Sequence, residues 1–558
     1  MAKYQYLTSP PKISGWPPGV PYIIGNEAAE RFSYYGMNSI VVIFWTTFLH
    51  DQAGNLALMA PEQADAWYHT FVSALYFLPL LGAILADAFF GKFWVVFWLS
   101  IVYCAGHATL ALIGTAVAHT IPPVALSGVG LFLIALGAGG IKPCVSTNVG
   151  DQFGETNKHL LPKLFNWFYF SINAGSALST LLIPWLLEPY KADPNGFIAK
   201  LGPSMVSFLE SPRLHSPDIA FGLPGIFMVI ATIFFWAGRK KFVHIPPVGW
   251  QAFFDDTVPR ERQQPFLFIF IPLALFSLTV GVLAVIAPIL GAASASEVLH
   301  FNVGMPVAIA LVLLVGVVIW AIRPVLRYIL IPVPFVAMFW ALWQQNFSSW
   351  IVQAKSMDRH LFGIEWLPEQ IQTVNPIFIL IMLPLFSYWL YPFVEKFVKL
   401  TPLRKIGAGL FVTAVSFFIV AMIQTRIDAG GQPGIMWQIW AFVVLTAGET
   451  LVSPTHLEFS YTQGPVKLKS LIMCTYLLAV SLGNQFTAAV NFFIQNPDGS
   501  VKLQGTSYFM FFVWVMLGTA VLFAIVTPFY KGRSYLQDQT QVTGDAEPAI
   551  GFAVQPET

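Results

Sequence analysis

The sequence predicts an all-α membrane protein of fourteen transmembrane helices, arranged as two six-helix bundles with two extra helices in the connector. Three observations predict it. Only 10% of the 558 residues are charged and 56% are hydrophobic, whereas a soluble domain carries roughly 25% charged residues. Apolar runs of about 20 residues, the length that crosses a bilayer as a helix, recur along the chain between polar or Gly/Pro breaks. Lysine and arginine gather in alternate connections, as the positive-inside rule requires of a multi-pass chain.

Residues 1–21 are polar and proline-rich (SPPKISGWPPGVP) and lack the apolar core of a cleavable signal peptide. They read as a cytoplasmic segment, with the first span acting as the targeting signal. Spans follow near 22–49, 66–90, 93–117, 122–145, 163–187 and 218–238, forming a first bundle over 22–240. The basic stretch GRKKFVH (238–244) leads into a connector over 241–330, with spans near 265–290 and 302–322. The second bundle, 331–532, has spans near 331–353, 373–395, 406–426, 436–460, 470–494 and 505–530. The tail, 533–558, is acidic, contains Gly and Pro, and reads as disordered.

An even number of spans returns both termini to one side. That side carries Lys92, Lys158, Arg239, Lys240, Lys241, Lys396 and Arg404 among others, while the opposite side holds only Lys191, Lys200, Arg213, Lys355, Arg359, Arg426 and Lys502. Both termini are therefore expected in the cytoplasm of a plasma membrane, with the lipid bilayer as the protein's solvent.

Several functions are disfavoured at once. A net charge of +1 argues against a nucleic-acid partner. Cys104, Cys144 and Cys474 lie in mostly apolar stretches without a CxxC or Cys/His cluster, so neither disulfides nor a metal is expected. No HExxH, GxSxG or paired intramembrane aspartates occur, so an enzyme is not expected and no cofactor is implied. Intramembrane charges are single rather than repeated in rings, which argues against a channel.

Those charges point elsewhere. Residues 25–38, GNEAAERFSYYGMN, place Glu27, Glu30 and Arg31 in the first span. Each costs about 2.5–3.5 kcal/mol at a helix centre, so such groups usually face a wet cavity and serve a function. Glu27 and Arg31, Glu30 and Tyr34, and Arg31 and Tyr35 are each four apart and share helix faces. Lys142 lies in GAGGIKP (137–143), where glycines permit close helix approach. Glu449 and Glu458 sit in GETLVSPTHLEFSY (448–461), His69 in WYHTF, and Asn173 in FYFSINAGS (168–176). One half thus offers Arg31 and Lys142, the other Glu449. Cations on one side would take a carboxylate, bidentate for Arg31, and a carboxylate on the other would take an ammonium. Because burial favours the neutral carboxyl, intramembrane carboxylates can carry protons. The reading is a proton-linked carrier of a zwitterion.

Two six-helix halves around a midplane site follow the major facilitator plan. GAILADAFFGK (82–92), between the second and third spans, resembles the signature loop of that superfamily through Asp87, Gly91 and Lys92. The plainer reading is a glycine turn with a solvated lysine.

EAAERFSYYG matches the ExxERFxYYG motif of the proton-coupled oligopeptide transporters, the POT or PTR family. GGIKPCVSTNVGDQF, FYFSINAGS, NPIFI (375–379), TPLRKIGAG (401–409) and LEFSYTQGP (457–465) resemble further family segments. The similarity runs from about residue 20 to 530, and the extra pair of helices resembles bacterial members, which implies the bacterial inner membrane. The resemblance implies a symporter that imports di- and tripeptides with protons by alternating access; nitrate or a peptidomimetic is the alternative cargo. It implies that Glu27, Glu30 and Arg31 couple protons, with Arg31 and Lys142 near the peptide carboxylate. Asn173, Asn375 and Glu449 would face the peptide amino group, and Tyr35, Tyr76, Tyr169, Trp340 and Ser453 would line the pocket. His69 resembles the second-helix histidine of animal members. The chain also departs from the family. Asn38 and Gln344 stand where an outer-gate arginine and acid are usual, Tyr476 where many relatives have Trp, and His456 where Gly is usual. Neither gate amide titrates, leaving His69 as the nearest candidate switch.

Overall fold

The computed structural model describes residues 6–154, 156–188, 214–247, 332–361, 363–462, 469–496 and 500–529. Short stretches and single positions between 204 and 320, and at 533–534 and 555–556, are also described. The expected spans near 265–290 and 302–322 and nearly all of the tail lie outside the described residues, as does the Cys474 side chain. Cys104 is a free thiol.

Twelve helices carry the described fold. The first six are α1 (Val20–Ile43), α2 (Pro61–Phe77, continued to Phe90), α3 (Lys92–Ala111), α4 (Pro123–Asp151), α5 (Leu161–Leu187) and α6 (Pro217–Gly238). The others are α7 (Val333–Trp343), α8 (Val374–Leu385), α9 (Pro402–Asp428), α10 (Met436–Thr462), α11 (Lys469–Ile494) and α12 (Thr506–Val526). Proline opens α2, α4, α6 and α9, where its missing N–H costs nothing and its fixed φ suits the first turn. Thr401 caps α9 by accepting from the Arg404 N–H.

Ten helices among the described residues are long and apolar enough to cross a bilayer. α1 and α7 fall outside that set for different reasons. α1 is long enough at 24 residues but carries Glu27, Glu30 and Arg31. α7 stops after 11 residues, where a continuous span over 331–353 was expected. The cause is the polar run QQNFSS. Gln345 Nε2 donates to Ala341 O at 3.0 Å and Asn346 Nδ2 to Trp343 O at 2.6 Å, so side-chain amides take carbonyls that the next helical turn would use. Gln344–Phe347 tightens into a 3₁₀ turn, Ser348 leaves helical geometry, and a short helix resumes over Ser349–Lys355. Broken backbone at membrane depth is tolerated where protein buries it, and residues 344–349 are all buried.

The two halves repeat one pattern of packing. In the first, α1 packs on α5 and α6, α3 on α4 and α6, and α2 on α4; in the second, α7 packs on α11 and α12, α9 on α10 and α12, and α8 on α10. Each helix has its counterpart six places on. Across the halves, α2 packs on α11 and its counterpart α8 packs on α5.

Glycines set how closely helices cross. A Cβ on Gly82 would stand 2.3 Å from the Gly140 Cα, and one on Gly483 only 2.1 Å from the Ala337 carbonyl. Overpacking costs about 1–3 kcal/mol where neighbours can shift, and here the neighbour is backbone. Gly82→Val is expected to cut the yield of monodisperse detergent-extracted protein several-fold. Gly518→Ala, with open space at its Cβ, should leave it unchanged.

The loop between α2 and α3 turns at Gly91, whose φ of +78° disfavours other residues. Lys92 is not freely solvated. Its Nζ lies 2.5 Å from Asp151 Oδ2 at the end of α4, where a cation also suits the helix dipole. α4 runs six residues beyond the expected 145, which is what brings Asp151 within reach.

Candidate functional site

Helical spacing on α1 produces a compact charge cluster. Arg31 Nε donates to Glu27 Oε1 at 2.7 Å and lies 3.3 Å from Glu30 Oε2. Both carboxyls are buried, while Arg31 keeps 14% of its side chain exposed. Glu27 holds the guanidinium closely. The Glu30 oxygens have no hydrogen-bond partner among the described residues.

Lys142 on α4 enters the same region. Its Nζ sits 4.4 Å from the centre of the Tyr34 ring and 4.2 Å from that of Tyr76, a cation–π bracket between α1 and α2. It makes no hydrogen bond among the described residues. Two aromatic faces thus steady an ammonium whose donors remain unused.

On the opposite half, Glu449 of α10 is held by one oxygen. Its Oε2 accepts from Trp343 Nε1 and from Asn375 Nδ2, both at 2.8 Å, and Asn375 Nδ2 also lies 3.0 Å from Thr446 Oγ1. Oε1 has no such bond among the described residues and is left for a ligand. Tyr35, Tyr76 and Tyr169 of the first half lie within electrostatic reach of Glu449. Asn173 Nδ2 donates to the Tyr169 carbonyl at 2.9 Å, leaving its side-chain oxygen to accept. Ser453 Oγ meets Tyr476 OH at 2.8 Å, and the Trp340 ring lies 6.0 Å from Tyr476. His456, buried with both ring nitrogens unpartnered among the described residues, lies 5.5 Å from the Tyr476 ring. The Glu458 side chain lies outside the described ones. Among the described residues no three His, Cys, Asp or Glu side chains gather to hold a metal.

His69, Asn38 and Gln344 form a separate layer. His69 is fully buried; Nδ1 meets Asn484 Oδ1 at 2.8 Å and Nε2 meets Ser348 Oγ at 3.2 Å, both across the halves. The two gate amides do not bond to each other. Gln344 Nε2 donates instead to Tyr68 OH at 2.7 Å, and Asn38 is buried on α1, which packs against the Gln344–Phe347 turn. Ser73–Ser481, Thr180–Thr373 and Lys355–Thr46 also bond across the halves. Among the described residues, such bonds lie toward the helix ends away from the termini, and there the two halves are held together.

Sequence reasoning missed Trp343 and Asp65, and it put Tyr34 on the Glu30 face of α1 without assigning it to the site. Trp343 lies three residues after Trp340, so helical spacing from a chosen residue would have found it.

Two matching six-helix repeats around a buried, oppositely charged site define a membrane protein of the major facilitator fold. A family model described as PTR2, POT family, matches residues 93–509, and the chain belongs to that family. It is 33% identical over 420 residues to "Peptide transporter 3" of Caenorhabditis elegans, covering 75% of this chain and 52% of the relative. It is 33% identical over 439 residues to "Solute carrier family 15 member 2" of Homo sapiens, covering 75% and 51%. The chain thus spans about half the length of the curated relatives it matches. The crystal structure of the POT family transporter PepTSo superposes with a TM-score of 0.71 at 33% identity, covering 92% of this chain and 99% of that one.

Proposed function

We propose that the protein is a proton-coupled symporter that imports di- and tripeptides by alternating access. The carrying observation is the opposed charge of the site. Arg31 and the Lys142 ammonium, unbonded among the described residues, lie on one half, and the Glu449 Oε1 left unbonded among them, beside Asn375, on the other. A peptide's carboxylate and ammonium fit those two ends. Nitrate has no cation to offer Glu449. The relatives named as peptide transporters support the same cargo. Glu27, Glu30 and Arg31 couple the proton, and Tyr35, Tyr76, Tyr169, Asn173, Trp340 and Ser453 line the pocket. Asn38, His69 and Gln344 form the outer gate.

The basic connections support a reading with both termini in the cytoplasm of a plasma membrane, by its resemblance the bacterial inner membrane. The proposed bundles are 22–240 and 331–532, joined by a connector, 241–330. Uptake of a labelled dipeptide into proteoliposomes, with and without an inward proton gradient and with nitrate as competitor, tests the reading. Gradient-stimulated dipeptide uptake supports it; uptake of nitrate alone overturns it.

Hydrogen bonds to charged groups contribute about 1.5–3 kcal/mol, so Lys142→Gln and Glu449→Gln should each weaken dipeptide binding by about 10–100-fold. Calorimetric titration in detergent measures this. An N-acetylated dipeptide, which lacks the ammonium, should lose little on Glu449→Gln; equal losses for both ligands would remove Glu449 from the amino end.

A further inference from the structure

The geometry points to Asp65 as a further proton-carrying group, one that takes up a proton as the halves close together on the side away from the termini. This rests on the proposed proton-coupled transport.

Asp65 lies one turn before His69 on α2 and is 4% exposed. Its Oδ2 accepts from the Ser349 hydroxyl across the halves, just beyond the break after α7. Oδ1 is buried with no hydrogen-bond partner among the described residues. The facing groups offer no positive charge. On α2 they are Glu62, Tyr68 and His69; on α12, Tyr508; on α11, Asn491; beside Ser349, Ser348, Gln345 and Gln353. Glu62 has the same sign as Asp65. None of the described residues that line the adjoining cavity is cationic.

An ionised Asp65 in the closed form is therefore a buried carboxylate with one oxygen bare, a costly arrangement. A neutral carboxyl fits. Its O–H donates to Ser349 Oγ, whose own hydrogen turns to Gln345 Oε1 at 3.5 Å or Tyr508 OH at 3.4 Å. A proton can also reach it. A cavity of about 180 Å³ is lined by Asp65 and Ser349 and by the exposed Pro61 and Ser356, which opens a route from the surface toward the buried carboxyl.

His69 sets the pH window. In the closed form its Nδ1–H donates to Asn484 Oδ1 and its Nε2 meets Ser348 Oγ; with both partners neutral and the ring fully buried, the uncharged imidazole, Nε2 accepting, is the form that fits. In the open form both side chains are hydrated, and an ordinary imidazole titrates near 6.5. Above that range, closing takes up one proton, at Asp65. The closed form is then favoured at lower pH and lost as pH rises, by up to about tenfold per unit for one proton.

Spin labels at Asn55→Cys and Gln432→Cys, exposed loop positions of the two halves, report the opening. Cys104, Cys144 and Cys474 are replaced by serine, and the full chain is placed in liposomes without peptide. Between about pH 6.5 and 8 the open-to-closed ratio should rise at least about fivefold. Asp65→Asn should stay closed and change less than about twofold. Ser349→Ala should open the gate at both pH values yet keep the wild-type response. A merely structural Asp65–Ser349 bond would make both variants open, and that result overturns the proposal, as does a wild-type pH response in Asp65→Asn. If Asp65→Asn does not fold, loss of the pH response in Ser349→Ala overturns it and retention supports it. Because no peptide is present, failure to bind dipeptide would sink the symport reading and leave this measurement standing. Normal symport with a pH-insensitive wild-type gate would do the reverse.

Discussion

Glu30→Gln is expected to abolish proton-driven accumulation of dipeptide while leaving counterflow exchange in place. The reason is a balance of charges. With Glu27 and Glu30 ionised, two carboxylates face Arg31 and Lys142, and the cluster is neutral. A peptide carboxylate arriving at the two cations adds a third anion in a poorly hydrated site. The balance is restored if one carboxyl takes a proton. Glu27 is tied to Arg31 Nε at 2.7 Å, whereas Glu30 sits 3.3 Å away with both oxygens lacking hydrogen bonds among the described residues. The proposed coupling assigns the proton to Glu30, the carboxyl less tightly held by Arg31, so that peptide and proton would arrive together. A glutamine there is permanently neutral. The site still binds peptide and still exchanges it, but no proton crosses with it, so an inward proton gradient should raise internal peptide no further than equilibration. Full gradient-driven accumulation by the variant would show that the proton travels elsewhere.

The α1 and α4 charges were legible in the sequence because each is a local anomaly, a charge inside an apolar run. Their mutual arrangement followed from helical spacing, and Arg31–Glu27 closes at that spacing. The break after Trp343 was not legible. Span-finding averages hydropathy over many residues, and Val333–Trp343 is apolar enough to carry QQNFSS with it. Only the competition of Gln345 and Asn346 for backbone carbonyls ends the helix there. Asp65 was hidden for another reason. An acid in the first turns of a helix normally just complements the dipole at the helix N-terminus, and PEQADAW reads that way. Its burial comes from Ser349, 284 residues away. Lys92–Asp151 depended similarly on where α4 stops. Local chemistry marked the charges proposed to bind peptide; the contacts of Asp65 required the pairing of α2 with α11 and with the broken end of α7.

That pairing makes the second large effect. Gln344→Glu should impair dipeptide uptake by about tenfold or more, because it places an acid in a buried layer without a cation, a change that typically costs about 3–5 kcal/mol when a charge is left uncompensated. The native amide donates from Nε2 to Tyr68 OH at 2.7 Å. A carboxylate can only accept, so the phenol must turn its own hydrogen toward it, which supplies one bond and no charge. Closing the gate then requires either burying that anion or protonating it, and either slows the cycle. Asn38→Arg added to Gln344→Glu supplies the missing cation from α1, which packs against the Gln344–Phe347 turn. Recovery should be partial. Asn38 is fully buried, and the longer arginine must displace packed neighbours, a strain of about 1–3 kcal/mol. Asn38→Arg alone should also be impaired, for the opposite unpaired charge. Uptake by the four proteins in proteoliposomes under one proton gradient forms a double-mutant cycle. A double variant more active than either single variant places positions 38 and 344 together at the gate; one no better than Gln344→Glu separates them.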